Sequence, residues 1–420
     1  MRKLIFVTVS AALPFLSSKV ALADAPAEIT AMPATISELL SPGARRYAAG
    51  IRMGSFTVLP SGQVTVAHND NVFATKNNRR SDTVTNVDAA VAVVSNWSRH
   101  ALQLYAGGGG QFYSEFDDEN QGYVTLGMSG VLDIRRDLYV AMYARYAFGY
   151  EERGSGESFG TSLVEPIPVH SVQGGFLVHK DFNRLWFETG VAAESTHYDD
   201  ARISTGGVVS DVDQSFRDGT STQVIGRVGY SLSPKTSVFF EGTYNTRDYD
   251  TNDFDATGYG FGGGIRYDLT RLLKAEAAIG YAHYNFDGTL DDVSTMTYRA
   301  KLVWSMTPLM QVALIGSRDL GTPSQFSSTN SNRITSDIGA RIDYAWRRDV
   351  TFYAGAGYGN TDYVDIDRND DFIRLSVGGE YQLRPMIALF ANYSFTDLTS
   401  NVDSVEYDRN IVMVGVKARY

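Results

Sequence analysis

The chain contains 420 residues, with 37 lysines and arginines against 48 aspartates and glutamates, 40 glycines, 25 tyrosines and no cysteine. Hydrophobic residues at 43% argue against a disordered chain, and no apolar stretch reaches the roughly 18 residues that a membrane-spanning helix needs. The lack of cysteine excludes disulfides, thiolate metal sites, cysteine nucleophiles and a lipid-anchored N-terminal cysteine.

The N-terminal residues are typical of a secretory signal peptide. A basic start at Arg2 and Lys3 leads into an apolar run, and small residues precede Asp24. An exported chain with a formal net charge of −11 is a poor partner for nucleic acid, so none is expected. The predicted segments are a signal peptide at 1–23, cleaved after Ala23, a periplasmic linker rich in Ala, Pro and Ser at 24–48, and one domain at 49–420.

Within the domain, apolar and polar residues alternate over stretches of about ten positions. Ile373, Leu375 and Val377 share one parity, while Arg374 and Ser376 share the other. This period of two predicts strands with one apolar and one polar face. It fits a soluble sandwich as well as a membrane barrel, because either fold keeps one face of each strand away from water.

The connections between the alternating stretches favour the barrel, because short and long ones follow each other in turn. The short connections, in chain order, are 96–99, 135–137, 180–183, 233–235, 270–272, 307–309, 347–349 and 384–386. The long ones, rich in Asp, Asn, Gly and Ser, are 117–120, 153–165, 199–218, 250–255, 287–292, 321–332, 365–371 and 399–408. Outer-membrane barrels have short periplasmic turns and longer outward loops.

We therefore predict an all-β transmembrane antiparallel up-and-down β-barrel of about 18 strands, with 16 as the alternative. In hydrocarbon an open sheet edge would leave unpaired N–H and C=O groups at several kcal/mol each, so the sheet must close. A barrel of this size has an interior too wide for side chains alone to fill, which implies a water-filled lumen. The longest loops, 153–165 and 199–218, are the candidates for folding into it.

The polar parity of the strands supplies a set of predicted lumen-lining residues. Two roles fit them equally: a charged pore lining that selects solutes, or cross-strand ion pairs that order a wet wall. Arginines outnumber acids in the second half of the set, which predicts a mild anion preference. The set comprises Arg145, Glu188, Arg227, Glu241, Arg266, Glu276, Arg299, Lys301, Arg341, Arg374, Glu380, Lys417 and Arg419.

The four tryptophans, Trp97, Trp186, Trp304 and Trp346, all lie in or near short connections. Interfacial tryptophan belts account for that placement, so we predict a periplasmic girdle, although Trp186 has lumenal parity. The chain ends on Tyr420, at the end of an alternating stretch. An aromatic last residue resembles the C-terminal signal that the bacterial barrel-assembly machinery reads.

The sequence gives weaker support for catalysis, metal binding or phosphate binding. The six histidines have no metal-ligand spacing and no nucleophile elbow, and the acidic loops lack the full spacing of a calcium loop. We therefore expect no enzyme activity, no metal and no cofactor. His197 and His283, on strands that rise to outward loops, stay open as candidates for a catalytic histidine near the outer rim. The glycine runs 107–110 and 262–264 are followed by no Lys-Ser/Thr pair and are no phosphate loops. In a barrel wall they permit strong coiling or make room beside a large neighbour.

The first strands carry a set of residues that resembles the second putative β-barrel porin family of bacterial outer-membrane proteins. The set covers about fifty residues, and His68 replaces the aromatic residue usual before Asn69. The matching residues are Gly54-Ser55-Phe56, Pro60, Asn69-Asp70-Asn71-Val72-Phe73 and Asn96-Trp97-Ser98-Arg99-His100.

Members of this family are often encoded beside exopolysaccharide or capsule synthesis genes. The resemblance implies a Gram-negative outer-membrane barrel that passes a secreted polysaccharide, and it brings no catalytic or ligand-binding residues. The expected partners are membrane lipid and lipopolysaccharide, the barrel-assembly machinery and polysaccharide export components. Two alternatives stay open: a general porin for small solutes, and a surface or adhesion barrel that acts through its acidic loops.

Overall fold

The structure, a computed structural model, describes residues 50–154, 163–250, 254–268, 272–288, 290–321, 324–326 and 329–420. The predicted signal peptide and most of the predicted linker lie outside these residues. No helix in the described ranges is long and apolar enough to cross a membrane. The chain in these ranges consists almost entirely of β-strands.

The strands, in chain order, are β1 (Ile51–Met53), β2 (Phe56–Asn69), β3 (Asp82–Ser95), β4 (Ala101–Tyr113), β5 (Gln121–Arg135), β6 (Leu138–Tyr150), β7 (Pro168–Phe182), β8 (Leu185–Tyr198), β9 (Ala201–Thr205), β10 (Val208–Val212), β11 (Gly219–Ser233), β12 (Thr236–Tyr249), β13 (Ala256–Asp268), β14 (Leu273–Phe286), β15 (Val293–Thr307), β16 (Met310–Leu320), β17 (Ser324–Phe326), β18 (Thr329–Ser331), β19 (Arg333–Tyr344), β20 (Val350–Tyr363), β21 (Arg368–Arg384), β22 (Ile387–Ser400) and β23 (Tyr407–Arg419).

Eighteen of these strands form one closed antiparallel barrel, which confirms the predicted fold class and strand number. Each barrel strand pairs with its neighbours in sequence order, and β2 closes the wall by pairing with β23 from Ser61, opposite Arg419, to Asn69, opposite Ile411. The remaining short strands lie outside this ring: β1 folds back on β2, and β9–β10 and β17–β18 are hairpins within two loops.

The connections define two rims. The strands are joined alternately by short turns, such as 136–137 between β5 and β6, and by longer segments, such as 199–218 between β8 and β11. All short turns lie at one end of the barrel, the short-turn rim, and all longer segments at the other, the long-loop rim, because neighbouring strands are antiparallel. The predicted alternation of connections is thus present in the structure.

The two faces of the wall differ as the alternation predicts. On β23, Val412, Val414 and Val416 are 52%, 55% and 46% exposed on the outer face, whereas Lys417 on the inner face is 2% exposed. An outer surface covered by such apolar rows would be unfavourable in water and is suited to lipid. The wall therefore has an apolar outside and a polar inside.

Pro60 lies within β2, where proline removes a ladder donor. It sits just beyond the stretch that pairs with β23, so the missing N–H interrupts no bond at the closure. The amide of Tyr420, the last residue, donates to the Pro60 carbonyl at 3.2 Å, and the Tyr420 side chain is exposed. The end of the chain thus completes the seam between β2 and β23.

Replacing Tyr420 with alanine is expected to slow assembly into the membrane, because the resemblance to the assembly signal rests on this aromatic ring. The folded fraction, measured by heat-modifiable migration in a gel, should fall several-fold. Tyr381→Ala is the matched control, since Tyr381 is an equally exposed tyrosine on the outer face of β21. Equal folded fractions in the two variants would contradict the assembly role.

Candidate functional site

Strand register brings opposite charges together on the inner wall near the short-turn rim. Arg227 on β11 lies directly opposite Glu188 on β8 and Glu241 on β12. Arg266 on β13 lies opposite Glu276 on β14. Directly opposed residues in an antiparallel sheet share a face and come within reach of each other. We call the resulting set the charged band: Glu188, Arg227, Glu241, Arg266, Glu276 and Arg299.

The members of the charged band form a continuous chain of ion pairs. Arg227 donates to Glu241 at 2.8 Å, and Arg299 donates to the same carboxylate at 2.9 Å. Arg266 donates to Glu188 at 3.1 Å and to Glu276 at 2.8 Å. The contact between Arg266 and Glu188 reaches across the two intervening strands β11 and β12. Three acids and three arginines therefore neutralise one another along this part of the wall.

Burial makes these contacts energetically significant. Glu188 and Arg227 are each 4% exposed, and His179 on β7 contacts the Glu188 carboxylate at 3.0 Å. Charged groups this buried require partners, since an unpaired ion in a poorly hydrated site costs several kcal/mol. One terminal nitrogen of Arg227 and the Nε of Arg299 are buried and have no hydrogen-bond partner within the described residues.

An aromatic shelf supports the charged band. The Arg266 guanidinium lies 4.8 Å from the Trp186 ring centre, and Phe239 lies 6.0 Å from the same ring. Trp186 is 3% exposed and points inward, so it differs from the predicted belt role. The cause is its parity on β8, which it shares with Glu188, where an indole can stack on a guanidinium.

The other three tryptophans match the geometry of a belt. Trp97 lies in the turn after β3, Trp304 near the end of β15 and Trp346 in the turn after β19, all at the short-turn rim. Their side chains are exposed. Their role at a membrane interface stays a prediction.

A second group of charges occupies the inner wall on the other side of the barrel. Glu380 on β21 accepts from Arg419 at 2.8 Å and lies 3.6 Å from the Lys417 ammonium. On β19, Arg341 pairs with Asp343 at 2.9 Å. We call these five residues the second network. It holds three cations against two acids, so it carries a net positive charge.

The remaining predicted lumenal cations are separate from both groups. Arg145 on β6, Lys301 on β15 and Arg374 on β21 lie on the inner parity of their strands. None of the three makes an ion pair with another described residue. Arg374 instead lies over the Phe372 ring at 4.5 Å. Lys301 and Arg374 add to the positive side of the lumen.

At the long-loop rim, three consecutive charged residues that follow β6 each pair with a different part of the chain. We call Glu151, Glu152 and Arg153 the clasp. Glu151 accepts two hydrogen bonds of 3.0 Å from Arg217, which precedes β11. Glu152 pairs with Arg409 on β23.

The third member of the clasp is the most buried. Arg153 donates to both carboxylate oxygens of Glu119, in the loop between β4 and β5, at 2.5 and 3.2 Å. It also donates to the Leu163 carbonyl at 2.8 Å. Arg153 and Glu119 are 4% and 1% exposed, respectively.

These contacts place the clasp across the mouth of the barrel. The wall between β6 and β23 contains four strands, β2 to β5, so a residue next to β6 reaches Arg409 only if the chain turns inward. Gly154, with φ at +85°, marks this turn, and a side chain there would meet Ala74 and Tyr407 at 2.6 Å. Of the two loops predicted as candidates, the one after β6 folds in at its described ends.

An apolar cluster lies at the long-loop rim on the opposite part of the wall. Arg247 on β12 donates to the carbonyls of Leu320 at 2.9 Å and Gly321 at 2.6 Å, and so ties this part of the wall together. Sequence alternation did not reveal the cluster, because its members come from five strands and two loops. The cluster consists of Phe254, Ala256, Ala282, Tyr284, Phe286, Leu290, Val293, Leu320 and Ile334.

A comparison with protein-family models shows the family of the chain. The model described as "Putative beta-barrel porin 2" matches residues 46–420. The chain belongs to this family. Membership agrees with the resemblance of the first strands and extends it over the whole barrel, and it places this porin-family chain in the outer membrane. A search of curated proteins found no match.

Solved structures similar to this porin-family chain are outer-membrane barrels. The copper transporter OprC has a TM-score of 0.47 and 11% identity, covering 88% of this chain and 81% of that one. The siderophore receptor PiuA from Acinetobacter baumannii has a TM-score of 0.46 and 10% identity, with coverages of 88% and 82%. Pseudomonas aeruginosa OpdK with vanillate has a TM-score of 0.43 and 11% identity, with coverages of 86% and 99%. Structural similarity at this low sequence identity does not indicate which solute this chain transports.

The residues that the structure describes include no group of three or more His, Asp or Glu side chains able to hold a metal ion. His197 pairs with Asp218 at the long-loop rim, and His283 on the outer face of β14 bonds Ser294 at 2.7 Å. Both histidines thus have structural partners. The charged band and the clasp are the arrangements best suited to a function of this porin.

The clasp is expected to tighten in acid. Burial raises the pKa of the Glu119 carboxyl in the clasped state, Arg153 opposes the shift, and Asp118 and Glu165 add to it. Because the clasped form binds the proton more readily than a solvated glutamate does, lowering the pH through this range favours the clasped form. Open probability in a planar bilayer should therefore fall between pH 7 and pH 4.

Glu119→Gln is the test of that assignment, since a neutral amide imitates the protonated acid. The variant should lose the dependence of open probability on pH in this range, because an amide at this position does not titrate. An unchanged pH response in Glu119→Gln would assign the titration to another group.

Proposed function

We propose that this porin-family chain is a passive outer-membrane channel for hydrophilic solutes. The single observation that carries the proposal is the division of the wall: a closed barrel with an apolar outside and charged residues from many strands on the inside. A polar interior of this width is suited to water, and a water-filled lumen can pass hydrophilic solutes. The clasp and the apolar cluster restrict entry at the long-loop rim, and the charged band lines the path near the other rim.

The balance of lumenal charge supports a mild anion preference. The charged band is neutral, and Arg145 is balanced by the inward carboxylate of Glu194. The second network has one more cation than acids, and Lys301 and Arg374 have no ion pair within the described residues. A modest positive potential along the lumen attracts anions without holding them.

We further propose that the transported solute is a surface polysaccharide or its building units. Its support is the family resemblance, and the narrowed mouth favours an extended chain or small units over a bulky folded polymer. A general small-solute porin and an adhesion barrel acting through acidic loops are the rivals. Deleting the gene and measuring secreted polysaccharide and surface attachment separates these three: lost secretion supports export, and lost attachment alone supports adhesion.

The channel function itself is tested with the purified chain in planar bilayers. Stepwise conductance and a reversal potential shifted modestly toward that of the anion in a KCl gradient are the expected results. A folded, heat-modifiable barrel that gives no conductance over a range of voltages and pH would refute the channel. Clear cation selectivity would refute the anion preference alone.

A further inference from the structure

The inner wall between β11 and β16 contains a cavity of about 70 Å³ that is open to the lumen. It lies between the apolar cluster at the long-loop rim and the charged band toward the short-turn rim. Pockets that enclose small molecules measure roughly 300 to 1,000 Å³, so a solute held at this smaller cavity would stay partly in the lumen.

Glycine forms the floor of the cavity. Gly260 and Gly262 on β13 and Gly280 on β14 line it and lie on the inner parity of their strands. The three atoms nearest to a Cβ added at Gly262 are backbone atoms of Ile279 and Gly280, at 2.7 to 3.3 Å, so the two strands approach closely there. Where no side chain covers the wall, a solute can approach the backbone closely.

The surroundings of Gly262 differ from those of other inward glycines on β13. A Cβ on Gly264 would meet the Phe239 ring, and one on Gly258 would meet the Tyr284 ring. Those two glycines make room for large neighbours, which is one of the two roles predicted for the run 262–264 that contains Gly264. Gly262, between them, lines the cavity and has backbone atoms of β14 as its nearest neighbours.

Neutral hydrogen-bonding side chains surround this floor. Gln223 on β11 lies directly opposite Asn245 on β12, with Thr243 two residues from Asn245, and Thr297 and Ser317 face them from β15 and β16. None of the five makes a side-chain hydrogen bond to another described residue. Five neutral polar groups therefore converge on one space with their hydrogen-bonding capacity unused by the protein.

Four charged residues line the cavity. Arg318 donates to Ser336 at 2.6 Å, Asp319 accepts from the Leu320 amide at 2.8 Å, and the other two are paired with each other. Glu241 and Arg299 form one ion pair at 2.9 Å, and the Nε of Arg299 is buried without a partner in the described chain. An anionic ligand would compete with Glu241 for Arg299, and a cationic one would compete with Arg299 for Glu241. The spare donor on Arg299 instead suits a neutral oxygen acceptor.

We propose that this cavity is a binding subsite for a neutral polyhydroxylated solute, such as a sugar unit, on its way through the lumen. Amide and hydroxyl side chains can both donate to and accept from vicinal hydroxyl groups, and Tyr284 offers an aromatic edge at the outward end. The proposal rests on the channel function and adds the class of solute and the place where it pauses.

The test is the block of single-channel current by maltose, a neutral polyhydroxylated probe, in bilayers containing the full chain. The wild-type channel should show concentration-dependent blocking events, while polyethylene glycol of similar size should give none at equal concentration. The near-isosteric variant Thr243→Val/Asn245→Leu/Thr297→Val removes three hydrogen-bonding groups without closing the cavity. Its apparent affinity for maltose should fall at least about tenfold, the equivalent of 1.4 kcal/mol.

Asn392→Leu is the matched control, because Asn392 is an inward asparagine on β22, far from the cavity around the wall. It should leave the maltose block unchanged. Heat-modifiable migration shows whether each variant folds, and the single substitutions replace the triple variant if it does not. Equal block by maltose and polyethylene glycol, or equal block in wild type and cavity variants, would overturn the subsite while leaving the channel intact. Absence of conductance would refute the channel function instead.

Discussion

The variant Arg153→Gln is expected to raise the time-averaged conductance at neutral pH by about twofold or more, because it releases the clasp from the mouth. Arg153 donates to both oxygens of Glu119, and both side chains are almost fully buried. Removing one partner of a buried ion pair costs about 3–5 kcal/mol, since the other charge stays desolvated. That cost changes the ratio of clasped to released forms by about a hundredfold or more.

Lowering the pH should reverse the rise in conductance of the Arg153→Gln variant. Once Glu119 takes up a proton, the Arg153→Gln variant buries no unpaired charge at the clasp. The conductance of this variant should therefore fall again as the pH falls. The double variant Glu119→Gln/Arg153→Gln should be less open at neutral pH than Arg153→Gln alone. This order of conductance distinguishes release of the clasp from a general loosening of the barrel.

Lys76→Gln is the control for the clasp. Lys76 pairs with Asp403 at 2.9 Å and with Glu406, in an exposed position between two loops at the same rim. An exposed pair contributes about 0–1 kcal/mol, so this variant should conduct as the wild type does. A folded Arg153→Gln channel with unchanged conductance would show that the clasp does not limit passage.

The second large effect is expected from Glu188→Gln in the charged band. Glu188 is the partner of Arg266 at 3.1 Å, His179 at 3.0 Å and Arg227 at 3.5 Å. Without its charge, Arg227 and Arg266 keep only the remaining two carboxylates of the band. The free energy of unfolding, measured by denaturant titration in lipid, should fall by about 3–5 kcal/mol.

The same change leaves one unbalanced positive charge beside the lumen, so the reversal potential should shift further toward anions. Glu194→Gln is the matched control. Glu194 lies on the inner face of the same strand and is buried, but it accepts hydrogen bonds from Ser171 and Gln173 and has no ion pair in the described chain. A free energy of unfolding that falls equally in both variants would count against a special role for the band.

The alternation of residues and the lengths of the connections were enough to predict the barrel and its strand number. On β23 and β21, every second residue faces outward in the structure as the parity requires, because side chains of a strand point alternately to its two faces. The charged lining followed from the same rule. Sequence parity therefore assigned Arg227, Glu241 and Glu380 to the lumen before any contact was known.

Parity alone left two matters undecided: which lumenal charges meet, and whether a tryptophan near a turn faces lipid. Trp186 has the inward parity of its strand, but its stacking on Arg266 depends on two further strands lying between them. Likewise, Arg266 reaches Glu188, 78 positions away in the chain, only because the closed wall curves there. Pairing register and curvature are properties of the assembled sheet.

The local pattern of apolar and polar residues determined where the strands lie and which face of each strand is apolar, because both depend on neighbours along the sequence. Closure of the sheet followed, since unpaired backbone N–H and C=O groups are unfavourable in hydrocarbon. The clasp across the mouth, the apolar cluster and the glycine-floored cavity were decided by the tertiary structure alone. Each joins residues from separate strands or loops, such as Glu152 and Arg409, which are 257 positions apart. Contacts of that range exist only once the barrel has closed and brought the two segments to the same side of the lumen.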